Sequence, residues 1–227
     1  MRGVMLGRRV RGAALGAVAA ALATVAVTGC SSEGDRGVDA GGSTSAKPGT
    51  AARADAEDRG QAAKAGTVGG PGSPCPMPVA FDLAADWKPD PVENDQDDEF
   101  ATLFDQGPVS LVCEIDAKPA GNIGFLRVWV GADAGDDARR ALEAFVVDGA
   151  KDREDEAYKE TKAGKFTATE VTYLNTSEFL DEPKKERAFA VSTPKGVVIV
   201  DLGGFDSEEH EQMLPAYELA RKSLRSS

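Results

Sequence analysis

Apolar and polar residues alternate with a period of two in several stretches after residue 75, a pattern typical of strands that bury one face. Residues 109–115 place apolar side chains at every second position, so the side chain of Cys113 is predicted to point inward. Residues 125–130 follow a turn rich in proline, glycine and asparagine and are predicted to complete a hairpin. Four further strands are predicted at residues 79–83, 166–174, 186–191 and 197–202.

The strand predicted at residues 197–202 begins with four successive Val or Ile residues, Val197 to Val200. Because both of its faces are apolar, it is predicted to lie in the centre of a sheet that is covered on both sides. By contrast, residues 151–162 carry charges of both signs and few apolar side chains, which predicts a solvated helix or loop.

Two stretches repeat their apolar residues at spacings of three and four, which predicts amphipathic helices. The first follows Asp136 and Asp137, either of which can cap its start, and Gly149 is predicted to end it. The second begins with Asp206 and Glu209, which have the spacing of a capping box.

This closing helix contains Pro215, which removes a backbone donor and is predicted to kink or restart the helix. A shorter helix is predicted at residues 97–104. Together the elements predict an α+β fold with a single domain over residues 75–227. In this fold a mainly antiparallel sheet of about six strands is flanked by helices, and the C-terminal helix packs on the sheet.

The start of the chain has the features of an exported bacterial lipoprotein. Four arginines and no acid precede Cys30, and residues 13–27 form a short apolar run, as in a secretory signal peptide. The motif Val-Thr-Gly-Cys that ends at Cys30 fits a lipobox, so residues 1–29 are predicted to be cleaved and Cys30 to carry diacylglycerol and palmitate. The alternative is an ordinary secretory signal with a chance cysteine. Arg8-Arg9 lacks the neighbours of a twin-arginine signal, which favours the general secretory route.

Residues 30–74 are predicted to form the lipidated cysteine and a disordered tether. The segment after Cys30 consists almost wholly of small and charged residues, with Val38 and Val68 as its only large apolar side chains. It cannot bury enough apolar surface to offset the entropy of ordering. A flexible segment of roughly forty residues has a root-mean-square reach of about 35 Å, which lifts the domain off the membrane surface.

The charge of the chain excludes several classes of partner. The full sequence has 26 basic and 38 acidic residues; removing the four arginines of residues 1–29 leaves 22 against 38, a net charge of −16. Such a surface repels phosphate backbones, so neither nucleic-acid binding nor docking of the folded part on an anionic membrane is expected. The expected contact with the membrane is the lipid anchor, on the extracytoplasmic face.

The chain has three cysteines, which divide into one predicted lipid site and one predicted pair. With Cys30 acylated, Cys75 and Cys113 remain as an even number of thiols in an oxidising compartment. A disulfide between Cys75 and Cys113 is therefore predicted, with two reduced thiols as the alternative.

No catalytic signature accompanies these features. The chain lacks the His-Glu-x-x-His, Cys-x-x-Cys, Gly-x-Ser-x-Gly and glycine-rich phosphate-loop motifs, so no catalytic residue, metal ligand or cofactor is predicted. The single histidine, His210, lies between two glutamates and is interpreted as a solvated surface residue. A carboxylate-based hydrolase stays open, since it needs only two acids that meet in space.

Two further sets of residues are candidate binding sites. The densest acidic cluster, at residues 93–99, has Phe100 where an EF-hand calcium loop requires glycine, so a solvated acidic loop is favoured over a calcium site. Trp87 and Trp129 could each line a cleft, but Trp129 lies within a predicted strand and is interpreted as a core residue.

Three stretches resemble a family of uncharacterised lipoproteins from actinobacteria such as Streptomyces. They are Phe-Asp-Leu-Ala-Ala-Asp-Trp at residues 81–87, Cys-Glu-Ile-Asp-Ala-Lys-Pro-Ala-Gly at 113–121 and Met-Leu-Pro-Ala-Tyr-Glu-Leu-Ala at 213–220. The resemblance covers residues 75–224. More distantly, the order of strands and helices is similar to the PsbP-like fold of mycobacterial LpqN-type lipoproteins. This resemblance implies a binding or accessory protein that has no catalytic residues.

Two classes of function follow. The favoured one is a lipid-anchored, non-catalytic domain that binds an envelope protein or a cell-wall ligand, since anchor and tether are clear and catalytic motifs are missing. The alternative is a carboxylate-based envelope hydrolase. The hydrolase predicts a cleft with two close acids, one of which has a strongly raised pKa, whereas the binding domain predicts an apolar or aromatic groove.

Overall fold

Strands are the commonest secondary structure in the part of the chain that the structure describes. The computed structural model describes residues 61–93, 101–177 and 182–227, which belong to one compact unit, Lys47–Ser227. The described residues form eleven strands: β1 (Lys64–Val68), β2 (Val79–Ala84), β3 (Lys88–Pro91), β4 (Asp105–Gln106), β5 (Val109–Asp116), β6 (Phe125–Val130), β7 (Arg153–Ala163), β8 (Phe166–Asn175), β9 (Lys184–Thr193), β10 (Gly196–Gly203) and β11 (Arg225–Ser226).

Two α-helices and two short 3-10 helices complete the described part of the chain. The α-helices are α1 (Ala138–Gly149) and α2 (Ser207–Ser223), and the 3-10 helices are Ala101–Phe104 and Lys118–Ala120. Of the short helix predicted at residues 97–104, only the last four residues are described, and they form the first 3-10 helix.

An eight-stranded antiparallel sheet forms the centre of the domain. Its order is β3-β5-β6-β10-β9-β8-β7, and the short β4 pairs with β5. Val197 to Val200 of β10 are fully buried between the neighbours β6 and β9, as their apolar character on both faces predicts. The predicted α+β class and antiparallel sheet are confirmed, although the strands outnumber the six expected.

The domain begins earlier in the chain than predicted, because a second sheet includes part of the predicted tether. This sheet has three antiparallel strands in the order β1-β2-β11, and β1 lies in the segment that was assigned to the tether. Val68, at the end of β1, is fully buried in the core. The ordered domain therefore begins before Lys64, and the boundary predicted at Cys75 is about ten residues too late.

The segment predicted as a solvated helix or loop at residues 151–162 is a strand. As β7 (Arg153–Ala163) it forms the edge of the main sheet and pairs with β8 along almost its whole length. Most of its side chains are exposed on both faces, so the alternation that marks a half-buried strand is absent. Charged side chains on an edge strand also oppose pairing with another chain.

Both α-helices begin with aspartate caps, as predicted. The Asp137 carboxylate accepts a hydrogen bond from the backbone N–H of Arg140, and that of Asp206 accepts one from Glu209, both at 2.8 Å. The Glu209 carboxylate accepts the N–H groups of Phe205 and Ile123, so it joins the helix start to the loop before β6. Helix α2 continues through Pro215, which excludes the predicted restart at this residue.

The two faces of the main sheet pack against different elements. One face packs against α2 and the three-stranded sheet. The core between them includes Phe189 and Leu202 of the main sheet and Tyr217 of α2. The opposite face packs against α1 through a second core that includes Leu142 and Phe145. Helix α1 has only twelve residues, about 18 Å at the usual rise, so it cannot cover the whole of this face.

Candidate functional site

The part of the sheet face next to the end of α1 is lined by charged side chains. Strand register places them side by side: Arg127 of β6 pairs with Asp201 of β10, and Tyr173 of β8 pairs with Glu186 of β9. Successive side chains of a strand point to opposite faces, so residues two apart share a face. Asp201 therefore lies on the same side as Ile199, which packs in the core under α1.

These side chains line a cavity of about 340 Å³. This volume falls within the range of small-molecule sites. Its charged and polar walls are Arg127, Tyr173, Asn175, Lys184, Glu186 and Asp201, and its aromatic walls are Phe125, Phe145 and Phe205.

Two glycines provide the space for the cavity. A Cβ at Gly203 would meet Arg127 Nη1 at 3.4 Å and Glu186 Oε2 at 3.9 Å, so the absent side chain leaves these two groups facing the cavity. A Cβ at Gly149, the last residue of α1, would lie only 2.2 Å from the Gln106 side-chain nitrogen. Glycine at 149 therefore allows Gln106 to donate to the carbonyl of Phe145 at the cavity rim.

Two ion pairs hold the cations of the cavity in place. Lys184 Nζ lies 2.7 Å from Glu186 Oε1 and donates to the carbonyl of Gly204 at 2.8 Å. Arg127 Nε donates to Glu114 Oε1 at 2.7 Å, and its guanidinium carbon lies 4.8 Å from the centre of the Phe125 ring. Both cations are thus fixed by contacts within the protein.

Three acceptor groups of the cavity have no such contact. Among the described residues, the Asp201 carboxylate, Glu186 Oε2 and the Tyr173 hydroxyl make no hydrogen bond or ion pair. None of these acceptor atoms is fully buried, so each can be hydrogen-bonded by water or by a polar ligand in the cavity.

The two acids have raised pKa values. Burial, followed by the negative charge of Asp201, raises the pKa of Glu186 to about 7, against the lowering effect of Lys184 and Arg127. Burial raises the pKa of Asp201 to about 6, again opposed by Arg127 and Lys184. Burial and these two acids also raise the pKa of Tyr173, so its hydroxyl stays neutral. The cavity can therefore accept hydrogen bonds from a ligand, bind a cation, or exchange protons near neutral pH.

The predicted disulfide lies away from this cavity. Cys75 and Cys113 are joined with a Cα–Cα distance of 5.8 Å, and both are buried, at 1% and 0% exposure. The bond links the loop between β1 and β2 to β5. The predicted lipid site, Cys30, lies outside the described residues.

His210 is not the solvated surface residue that its two glutamate neighbours suggested. Its side chain is buried, with 2% of the residue exposed, and its Nδ1 has no hydrogen-bond partner. Burial, followed by the positive charge of Arg187, lowers the pKa of His210 to about 4. The imidazole is thus neutral at pH 7, since a buried cation beside Arg187 and Lys185 would be unfavourable.

The remaining candidates from the sequence are the two tryptophans and the acidic cluster. Trp129 is a core residue, as predicted, and packs edge-on against Phe145 at 5.2 Å between ring centres. Trp87 is buried in the opposite core. Of the acidic cluster at residues 93–99, only Glu93 lies within the described residues, and no group of three or more potential metal ligands occurs in the described part of the chain.

The residues of the cavity were missed by sequence reasoning. One usable signal was Asp201, a single acid at the end of the apolar stretch that begins at Val197. An acid in a central strand needs a specific environment, because a charge is costly to bury. Arg127 and Glu186 carry no comparable signal, since their juxtaposition depends on the pairing of three strands.

Comparison with known proteins places the chain in a family of uncharacterised lipoproteins. Residues 45–224 match a protein-family model described as "uncharacterised lipoprotein". No significant match is found among curated proteins. None of the helices described by the structure is both long and apolar enough to cross a membrane.

Six chains of solved structures match this protein. One of them is the solution structure of the cyanobacterial PsbP protein (CyanoP) from Synechocystis sp. PCC 6803. The match has a TM-score of 0.45 and 10% sequence identity and covers 66% of this chain and 87% of that one.

Proposed function

Because the chain belongs to the uncharacterised lipoprotein family whose model matches residues 45–224, we propose that it is a lipid-anchored protein of the extracytoplasmic membrane face whose domain binds a polar ligand without catalysing a reaction. The ligand site is the cavity lined by Arg127, Lys184, Glu186 and Asp201. The expected source of the ligand is the cell envelope, either a cell-wall component or an envelope protein.

The anchor is supported by the lipobox at Cys30 and by the family. Cys30→Ser should abolish acylation, because serine has no thiol to receive the diacylglycerol. Metabolic labelling with a fatty acid tests this step. Label in the wild-type protein and none in Cys30→Ser is expected, with Cys75→Ser as the matched control that keeps its label. A wild-type protein without label contradicts the anchor.

The single observation that carries the binding function is the set of unpaired acceptors in the cavity. Asp201, Glu186 Oε2 and the Tyr173 hydroxyl face a space of about 340 Å³ without a protein partner among the described residues. These acceptor atoms are open to the cavity, where a polar ligand or ordered water can complete their hydrogen bonds. The cavity is polar, in contrast to the apolar or aromatic groove expected for a binding domain.

Native mass spectrometry of the protein purified from its own membranes can test this proposal. A bound small molecule is expected with the wild-type protein. Gly203→Leu should remove it, because the leucine side chain would fill the space between Arg127 and Glu186. The Cβ of residue 203 meets no backbone atom there, so the fold should tolerate the substitution. Gly66→Leu is the matched control, since a Cβ there meets no atom within 4 Å. Absence of a bound mass from the wild-type protein, or its persistence in Gly203→Leu, contradicts the proposal.

A second candidate function is favoured by one observation. Glu186 and Asp201 share the cavity and have pKa values raised to about 7 and about 6, the arrangement that a carboxylate-based hydrolase requires. Against it, Lys184 Nζ lies 2.7 Å from Glu186 Oε1, so one of the two oxygens that could contact a leaving group is already engaged within the protein.

Incubation with purified cell-wall polysaccharide distinguishes the two functions. The binding proposal expects no release of reducing sugar by the wild-type protein. Release by the wild-type protein that is lost in both Glu186→Gln and Asp201→Asn would establish the hydrolase instead. Glu154→Gln, an exposed acid of β7, is the matched control.

A further inference from the structure

We infer that the ligand of this cavity carries a protonated primary amine and that the Asp201 carboxylate is its counter-ion. The inference rests on the proposed binding function and specifies the chemistry of its ligand. It follows from the balance of paired and unpaired groups in the cavity and from the number of acceptors that face it.

The charges of Arg127 and Lys184 act on Asp201 and lower its pKa, but neither cation forms an ion pair with this carboxylate. Lys184 is paired with Glu186 and Arg127 with Glu114, both at 2.7 Å. Asp201 has no ion pair or hydrogen bond with a described residue, although it lies opposite Arg127 in the strand register. A bound cation would therefore supply the missing partner.

The unpaired groups match the hydrogen-bonding pattern of an ammonium group. An ammonium group has three donors and no acceptor. Three acceptors in the cavity have no partner among the described residues: the Asp201 carboxylate, Glu186 Oε2 and the Tyr173 hydroxyl. Hydrogen bonds to charged groups are about twice as strong as neutral ones, so a protonated amine uses these acceptors better than a neutral hydroxyl does.

An anionic ligand fits the site poorly. Two donors of Lys184 are directed to Glu186 and to the carbonyl of Gly204, and the guanidinium of Arg127 is held by Glu114 and packs on Phe125. A ligand carboxylate or phosphate would lie beside the Asp201 carboxylate, which has no ion pair with a described residue and would repel it. The aromatic rings of Phe125 and Phe205 can instead pack against the carbon skeleton of an amine-bearing ligand.

An ammonium group in the envelope can come from an amino sugar or from the side chain of a diamino acid in a peptide. Two pairs of probes separate these sources. The first pair is glucosamine and N-acetylglucosamine, and the second is Nα-acetyl-lysine amide and its Nε-acetylated form. Within each pair, acetylation removes the charge and leaves the skeleton in place.

Binding is measured by NMR titration of the wild-type protein at neutral pH. The amine of at least one pair should bind about tenfold more tightly than its acetylated partner, as expected for one close ion pair. A preference in the sugar pair alone assigns an amino sugar, and a preference in the lysine pair alone assigns a peptide amine. Both results support the inference.

Asp201→Asn should remove the preference for the amine, because it keeps the shape of the side chain without its charge. Asp133→Asn is the matched control, since Asp133 is exposed in the turn before α1. Equal affinity of amine and acetylated probe for the wild-type protein, or no binding of either amine, overturns the inference without depending on any variant. If a bound mass is still found in wild type and not in Gly203→Leu, only the ligand class fails and the binding function stands.

Discussion

Glu186 and Asp201 are carboxyl groups held in an environment that disfavours their charge. Both lie on a sheet face where burial raises their pKa values, and the charge of Asp201 raises the pKa of Glu186 further. Two cations, Lys184 and Arg127, offset this effect only in part. The protein therefore retains an unfavourable arrangement that a hydrophobic pair would avoid, which is typical of functional sites.

The two raised pKa values predict a pH-dependent stability. A carboxyl whose pKa rises on folding stabilises the folded state at low pH, and this contribution is lost as pH rises through the folded pKa. The pKa of Glu186 rises from 4.5 to about 7, so we expect the free energy of unfolding to fall by up to about 3 kcal/mol from about pH 5 to about pH 7.5. Urea unfolding across this range measures the change.

Glu186→Gln should flatten this part of the stability profile, because glutamine does not titrate. Glu154→Gln should leave the profile unchanged, since Glu154 is exposed on the edge strand β7. An identical slope in the wild-type protein and in Glu186→Gln would contradict the prediction.

The lowered pKa of His210 predicts a second effect of pH on the free energy of unfolding, opposite in sign to that of Glu186. The pKa of His210 is lowered to about 4 by burial and then by the charge of Arg187; Glu211 opposes this in part, and Lys185 and Lys184 add smaller lowering effects. A histidine with a lowered folded pKa contributes stability above its unfolded pKa of about 6.5, and this stability is lost as pH falls toward 4. Because the chain has one histidine, a single imidazole signal should be seen by proton NMR. A midpoint near 4 is expected, and one near 6.5 would show that the side chain is solvated.

At the scale of elements, the C-terminal helix is joined to the sheet by a buried polar contact. The Tyr217 hydroxyl of α2 donates to Glu170 Oε1 of β8 at 2.9 Å, and Lys159 of β7 lies 2.6 Å from Glu170 Oε2. Glu170 is 1% exposed, so it depends on these partners. The contact specifies where α2 lies along the sheet, in addition to its apolar packing.

Tyr217→Phe should reduce the free energy of unfolding by about 1–3 kcal/mol, because it leaves one oxygen of a buried carboxylate without its donor. Tyr158→Phe is the matched control: its hydroxyl bonds to Glu156 at 3.2 Å in an exposed position, so a change within about 0.5 kcal/mol is expected. Urea unfolding of both variants at one pH measures the difference. Equal losses in the two variants would show that the contact with Glu170 contributes nothing specific.

At the scale of the whole molecule, the disulfide connects the two sheets. Cys75 lies in the loop that joins two strands of the small sheet, and Cys113 lies in β5 of the main sheet. The cysteines are separated by 38 positions, a loop for which the chain-entropy estimate of stabilisation is about 4 kcal/mol. This is a large share of the 5–15 kcal/mol typical of a domain.

Reduction should therefore lower the urea midpoint of the wild-type protein strongly, by the equivalent of about 4 kcal/mol. The double variant Cys75→Ser/Cys113→Ser should begin at the lower midpoint and not respond to reductant. An unchanged wild-type midpoint after complete reduction, checked by thiol titration, would contradict this role.

The corrected domain boundary predicts the result of limited proteolysis. Because β1 pairs with β2 and Val68 is fully buried, the protected fragment should begin just before Lys64. Val68→Asp should release β1 and move the start toward Cys75, whereas Ala65→Asp, at an exposed position of the same strand, should not. N-terminal sequencing of the fragment gives the boundary. A wild-type fragment that begins at Cys75 would restore the original tether assignment.

The pattern of apolar and polar residues was sufficient to predict those elements that depend only on residues near each other in the sequence. The apolar run at Val197 to Val200 identified a central strand, and Asp137 and Asp206 identified two helix starts, because burial on both faces and capping depend on neighbouring residues. The same argument failed for β7 and for β1. An edge strand with charges on both faces has no alternation, and β1 has only Val68 to bury, so pairing with a distant strand decides both.

The sequence by itself determined the class of the chain: the lipobox motif, the pair of cysteines outside it and an α+β domain follow from local composition and spacing. Only the tertiary structure decided the site. Arg127, Tyr173, Glu186 and Asp201 come from four different strands, and they meet because the pairing register places them together on a part of the sheet face next to the end of α1. Register depends on contacts between residues far apart in the chain, so no local pattern can place these side chains together.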